Sequence, residues 1–124
     1  MKETNRYSVA EASTLIAAGK LTAVKLAEDC LARVEAREEA VQAWSYIDPK
    51  QVLADARARD SEKPRSALHG IPVAIKDIID TADMPTEYGS PIYAGHRPRS
   101  DAACVALLRN AGAVIMGKTV TTEY

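Results

Sequence analysis

Lys76 is the residue best placed to do chemistry: it closes the run Leu68-His69-Gly70-Ile71-Pro72-Val73-Ala74-Ile75-Lys76-Asp77, in which an apolar, strand-forming stretch carries one ammonium to its carboxyl end. A lysine at the mouth of a buried strand loses water, and desolvation disfavours its charged form, which brings a neutral amine within reach as a base. Such an amine can activate a serine. The same position is equally the ordinary end of a strand, with the ammonium standing in water on an apolar stem. Position alone leaves both readings open.

The other reactive side chains are sparse. Cys30 and Cys104 lie far apart with no CxxC and no nearby histidine pair, so neither a metal site nor a disulfide framework is expected, and both thiols are expected to stay reduced. Cys104 falls in an apolar helical repeat and reads as a buried structural thiol. His69, beside Gly70, reads as a turn residue and His96 as a loop residue; two isolated histidines give no zinc site. Gly112-Ala113-Val114-Ile115-Met116-Gly117-Lys118-Thr119 meets the formal pattern of a phosphate-binding loop. Its context does not, because the residues between the glycines are apolar and strand-like and no helix N-terminus follows to cradle phosphate. Lys118 is instead a strand-end residue at the carboxyl edge of a sheet, where ligands of open α/β folds bind.

These side chains need elements to position them. Ser8 with Glu11 has the spacing of a capping box, predicting a short helix from about 8 to 18, ended by Gly19. Thr22 caps a second helix with Val24, Ala27, Leu31 and Val34 on one face, widened by Leu26 and Cys30, and charges on the others. Trp44-Ser45-Tyr46-Ile47 alternates as an extended segment, and Asp48-Pro49 starts a third helix from about 49 to 60. Lys63-Pro64-Arg65-Ser66 is a connector before a strand over 71–76, in which Ile71, Val73 and Ile75 share one face and Ala74 and Lys76 the other. Residues 80–99 carry Pro85, Gly89, Pro91, Gly95 and Pro98 and read as a long structured loop. Ser100 with Asp101 caps a fourth helix ended by Gly112, and 113–116 form a buried strand. Strand, loop, helix and strand make a crossover between parallel strands, so the fold class is α/β, with helices leading into a parallel or mixed sheet. The two lysines, the loop with Gly89 and Ser90, and the residues after Gly117 are expected to converge at one sheet edge.

The chain has 124 residues, 47% of them hydrophobic, and a formal net charge of −1. That suits one small globular unit and gives no electrostatic reason for nucleic acid or an anionic membrane as partner. No apolar stretch approaches a membrane span, and Met1-Lys2-Glu3-Thr4-Asn5-Arg6 lacks the apolar core of a signal peptide, so a cytoplasmic location is expected.

Gly70-Ile71-Pro72-Val73-Ala74-Ile75-Lys76-Asp77, Gly89-Ser90-Pro91, Asp101-Ala102-Ala103-Cys104-Val105, Leu108-Arg109-Asn110-Ala111-Gly112-Ala113-Val114 and Gly117-Lys118-Thr119 together resemble the amino-terminal part of the amidase signature family. The resemblance is most specific from about 68 to 119. It implies that residues 1–124 are the amino-terminal part of a single amidase domain. It further implies hydrolysis of small-molecule amides, carboxamide to carboxylate plus ammonia or amine, by a Ser-cisSer-Lys relay in which Lys76 is the base, with no cofactor. Both family serines lie downstream of the position matching Lys118, so this stretch alone is expected to be inactive. Gly89 and Ser90 are the candidate substrate-binding residues, and Val120 departs from the asparagine many members carry there. The expected partner is a second copy or the missing carboxyl-terminal portion. Two alternatives stand: the amidase-like subunit of an aminoacyl-tRNA amidotransferase, and a non-catalytic binding module.

Overall fold

The computed structural model describes residues 3–123. After a 3₁₀ turn at Thr4–Arg6, helix α1 spans Val9–Ala17, α2 Ala23–Val41 and α3 Pro49–Asp60, with strand β1, Trp44–Ile47, between α2 and α3. Strand β2 spans Pro72–Lys76, α4 Ala103–Asn110 and β3 Val114–Thr119. The long segment from β2 to α4 contains only one 3₁₀ turn, Pro91–Tyr93.

The helix boundaries follow local chemistry. Ser8 Oγ accepts from Glu11 N at 3.1 Å while Glu11 Oε1 accepts from Ser8 N at 2.9 Å, so the two donors at the start of α1 are satisfied reciprocally. Replacing Ser8 with alanine is therefore expected to cost about 1 kcal/mol, read as a lower midpoint in chemical denaturation. Gly19, at φ 72°, takes the left-handed turn that separates α1 from α2. Thr22 Oγ1 accepts from Lys25 N, and Asp60, at the end of α3, accepts from Ala23 N at 2.7 Å and Val24 N at 3.0 Å. A carboxylate at a helix N-terminus also meets the positive end of its dipole, so Asp60 fixes where α3 ends against α2. Asp48 caps α3 through Lys50 N, with Pro49 in its first turn.

The three strands lie in the order β1-β3-β2, with β3 parallel to β2 and antiparallel to β1. Val114 and Met116 pack against Ala23 and Ala27 of α2 and Val52 and Ala56 of α3. Alanine at the closest points lets the helices approach the sheet, and burying the larger aliphatic side chains contributes about 1.5–3 kcal/mol each. Ile75 and Ile115 pack on the other face with Met84 and Val105. Ala12, Leu21, Leu26 and Ile71 join α1 to α2 beside the sheet.

Ile71 therefore does not share a face with Val73 and Ile75. It precedes the strand in a turn closed by its N–H on Leu68 O, and the period-2 alternation does not reach back to it. Helix α4 also starts later than Ser100-Asp101 suggests. Its N-cap is Ala102, without a side-chain cap, and Ser100 is exposed. The Asp101 carboxylate is spent on tertiary partners, accepting from Ala82 N at 2.8 Å and Arg109 Nε at 2.9 Å, and a charge-assisted bond to arginine outweighs a neutral cap. Cys104 is exposed rather than buried, because the short helix turns only Val105 fully inward. Residues 114–119 of the phosphate-loop pattern are β3 itself, Gly112 lies in the turn before it, and among the described residues no helix follows them.

Candidate active site at the carboxyl edge of the parallel pair

A β-bulge decides which way the two lysines point. Val73 pairs with Ile115, but Ala74 pairs with Gly117, so β3 carries one extra residue, Met116, opposite that step. Beyond the bulge Ile75 pairs with Lys118 and Lys76 with Thr119. Paired residues of neighbouring strands share a face, so Lys118 takes the face of Ile75, and Lys76 takes the other with Ala74 and Gly117. Strict alternation along β3 would instead have set Lys118 with Val114 and Met116 under the helices. Gly117 is obligatory at this step, since a Cβ there would stand 2.3 Å from Tyr46 O.

Lys76 thus ends β2 with an exposed side chain, beside a row of small residues. The desolvation expected for it is absent among the described residues, because β2 is an edge strand and no described element covers that face at its end. Lys118, which sequence position suggested as a simple strand end, is completely buried. Its Nζ donates to Thr86 Oγ1 at 2.7 Å, Thr81 Oγ1 at 3.2 Å and Pro85 O at 3.4 Å, and forms an ion pair with Asp77 Oδ1 at 3.2 Å. Burial pushes the Lys118 ammonium below its usual range, while the Asp77 carboxylate pulls it back up.

Gly89 and Ser90 come together with Asp77, Glu87, Ser45 and Thr121 around a cleft of about 280 Å³. Gly89 sits at φ 68°, and a Cβ there would stand 2.6 Å from Thr122 O, so both conformation and space demand glycine. Ser90 is buried, and its Oγ accepts from Ile92 N at the head of the 3₁₀ turn. Lys76 does not line this cleft, so the convergence expected from topology is partial: the cleft gathers Gly89 and Ser90 with residues after β3 but neither lysine, and Lys76 leaves the sheet on the face opposite Lys118. His69 is more than a turn residue. It is buried, with Nε2 bonded to Arg59 O at 2.8 Å. His96 is exposed in the loop, as its surroundings suggested.

Asp77, Thr81, Thr86 and Tyr88 escaped the sequence reading. Tyr88 holds φ 54°, unusual for a bulky residue, and its OH donates to Asp80 Oδ1 at 2.5 Å. That bond, with burial adding to it, pushes the phenol up to about 12. A raised phenol pKa favours the fold below the ordinary tyrosine value of 10.0, and the contribution disappears as pH climbs through about 12. Ultraviolet titration should accordingly show one of the five tyrosines ionising late, and Tyr88→Phe should remove that step. Loss of a different step would show that Asp80 does not hold this phenol.

A parallel strand pair with polar side chains and a glycine-bearing loop at its carboxyl edge defines a sheet-edge site of the α/β class. Residues 25–124 match the Amidase family, and the chain belongs to it. It is 44% identical to a glutamyl-tRNA(Gln) amidotransferase subunit of Chloroflexus aggregans, over all of this chain and 26% of that protein. The peptide amidase of Stenotrophomonas maltophilia superposes with a TM-score of 0.88 at 37% identity, covering 95% of this chain and 25% of that one. An amidase family protein from Bacillus anthracis superposes at 0.87 with 31% identity, covering 98% and 25%. The chain spans about a quarter of the length of these relatives. Among the described residues no helix is long and apolar enough to cross a membrane.

Proposed function

We propose that this chain supplies the lysine base of an amide hydrolase, converting a carboxamide to a carboxylate plus ammonia or an amine. The observation that carries the proposal is Lys76, closing the Gly70–Asp77 motif at the exposed carboxyl end of a strand in an Amidase-family chain. In this reading the neutral Lys76 amine takes a proton from a bridging serine held in a cis peptide, and that serine takes one from the nucleophilic serine. The relay later returns a proton to the leaving amine. Both serines belong to the part of the domain that this chain does not span, and that part also covers Lys76 and supplies its desolvation. Gly89 and Ser90 shape the substrate cleft. A cytoplasmic setting accompanies the proposal, in keeping with two unpaired thiols.

The test is a chimera in which residues 1–124 replace the matching quarter of the Stenotrophomonas peptide amidase. A folded chimera that releases ammonia from an amide substrate supports the reading; a folded chimera without turnover sinks it. The identity to part of a tRNA-dependent amidotransferase favours a second reading, in which the same chemistry serves an amidotransferase acting on glutamyl-tRNA(Gln). A chain of the relatives' length would then release ammonia only with its partner proteins present.

A further inference from the structure

Lys118 is among the largest completely buried side chains in the described molecule, and it is charged. A buried ammonium is costly unless its protons find acceptors, and replacing a buried ion pair with well-packed apolar groups commonly leaves a protein as stable or more so. Stability alone therefore does not explain this lysine; geometry can.

Every acceptor around Lys118 Nζ comes from residues 77–86, the first part of the long loop, and none from a helix or a neighbouring strand. One of them, Asp77, follows Lys76 directly. Asp77 Oδ2 accepts from Glu87 N at 3.2 Å, its main-chain O accepts from Tyr88 N at 3.1 Å, and its N–H donates to Thr119 O at 2.9 Å. A single residue thus ties the end of β2 to β3 and to the two residues immediately before Gly89. Its Oδ1 makes no hydrogen bond and meets only the ammonium. Without Lys118 the Asp77 carboxylate would be a buried, unpaired charge at the joint between Lys76 and the Gly89–Ser90 loop. The bulge at Met116 is what makes the arrangement possible, since it turns Lys118 onto the loop's side of the sheet.

We propose that Lys118 is a positioning residue: paired with Asp77 and bound to Thr81 and Thr86, it locks the loop over residues 81–90 onto the end of β2 and so sets Gly89 and Ser90 relative to Lys76. The inference rests on the reading of Lys76 as the base. Lys118 touches no substrate in it; it acts through Asp77.

Site-resolved amide hydrogen exchange on the full chain tests the lock directly. In Lys118→Met, which keeps length and volume but removes the charge, exchange at Glu87 and Tyr88 is expected to quicken about tenfold or more while Val114, bonded to Ile71 O, stays unchanged. If Lys118→Met does not fold, Thr86→Val removes the 2.7 Å acceptor, retains the ion pair and should loosen the same two amides. Equal acceleration at all three sites, or none, overturns the lock. In the peptide amidase chimera, Lys118→Met should lower kcat about 10²-fold, as expected for misplaced groups, with KM nearly unchanged. Faster exchange at Glu87 and Tyr88 with wild-type kcat would leave a loop anchor and overturn the positioning role. Full turnover by Lys76→Ala would remove the base reading by itself, and the exchange data would still decide whether Lys118 holds the loop.

Discussion

Lys76→Ala in the peptide amidase chimera is expected to lower amide turnover by about 10²–10⁴-fold, the usual share of a general base, without loss of fold. The two halves of that expectation have separate causes. In the 124-residue chain by itself Lys76 is exposed at the end of an edge strand, so truncating it there removes no core contact and should change that chain's stability by no more than about 0.5 kcal/mol. Its loss would nonetheless remove the proton acceptor on which both serines depend. Lys76→Arg should not rescue activity, because a guanidinium keeps its proton at any workable pH. Retained turnover in Lys76→Ala, or full activity in Lys76→Arg, would reassign the base.

Gly117→Ala is expected to destabilise the chain by about 3 kcal/mol or more. The added Cβ would meet Tyr46 O at 2.3 Å and Ile47 Cα at 3.2 Å, both backbone atoms of β1 that cannot rotate aside. Relief requires β1 to move away from β3, which opens the antiparallel pairing and carries Trp44 and Ile47 off the core under α2 and α3. Equilibrium denaturation of the chain would show the loss, and hydrogen exchange would place it first at the β1–β3 amides. A shift smaller than about 1 kcal/mol would mean that β1 adapts where overpacking normally costs more. Gly19→Ala is a useful contrast, since that site has open space and only its left-handed φ to oppose a side chain.

Much of the fold was legible because its signals are local. Ser8 with Glu11, Thr22 with the residues after it, and Asp48-Pro49 each satisfy donors a few residues away, so spacing alone places the starts of α1, α2 and α3. The failures are instructive in the same terms. Asp101 has the chemistry of a cap, but Arg109 and the Ala82 amide, distant in sequence, compete for its carboxylate and win. Asp29 is one of the charges off the apolar face of α2, and nothing within a few residues of it marks its role: it accepts from Thr4 N at 2.9 Å and Thr4 Oγ1 at 2.6 Å and anchors the entering chain.

The candidate site divides along the same line. Sequence by itself determined the family-like motifs, the strand that ends in Lys76, the glycine-bearing loop with Gly89 and Ser90, and the α/β order that brings strand ends to one edge. Those features depend on residue type and on interactions within a few positions. Only the tertiary structure decided that Lys118 is buried, that Asp77 joins it to the loop, and that the two lysines leave the sheet on opposite faces. The physical reason is the single extra residue in β3. A one-residue slip reverses the facing of every side chain beyond it, and whether a strand bulges is settled by its partner strands, which the order of residues along β3 does not record.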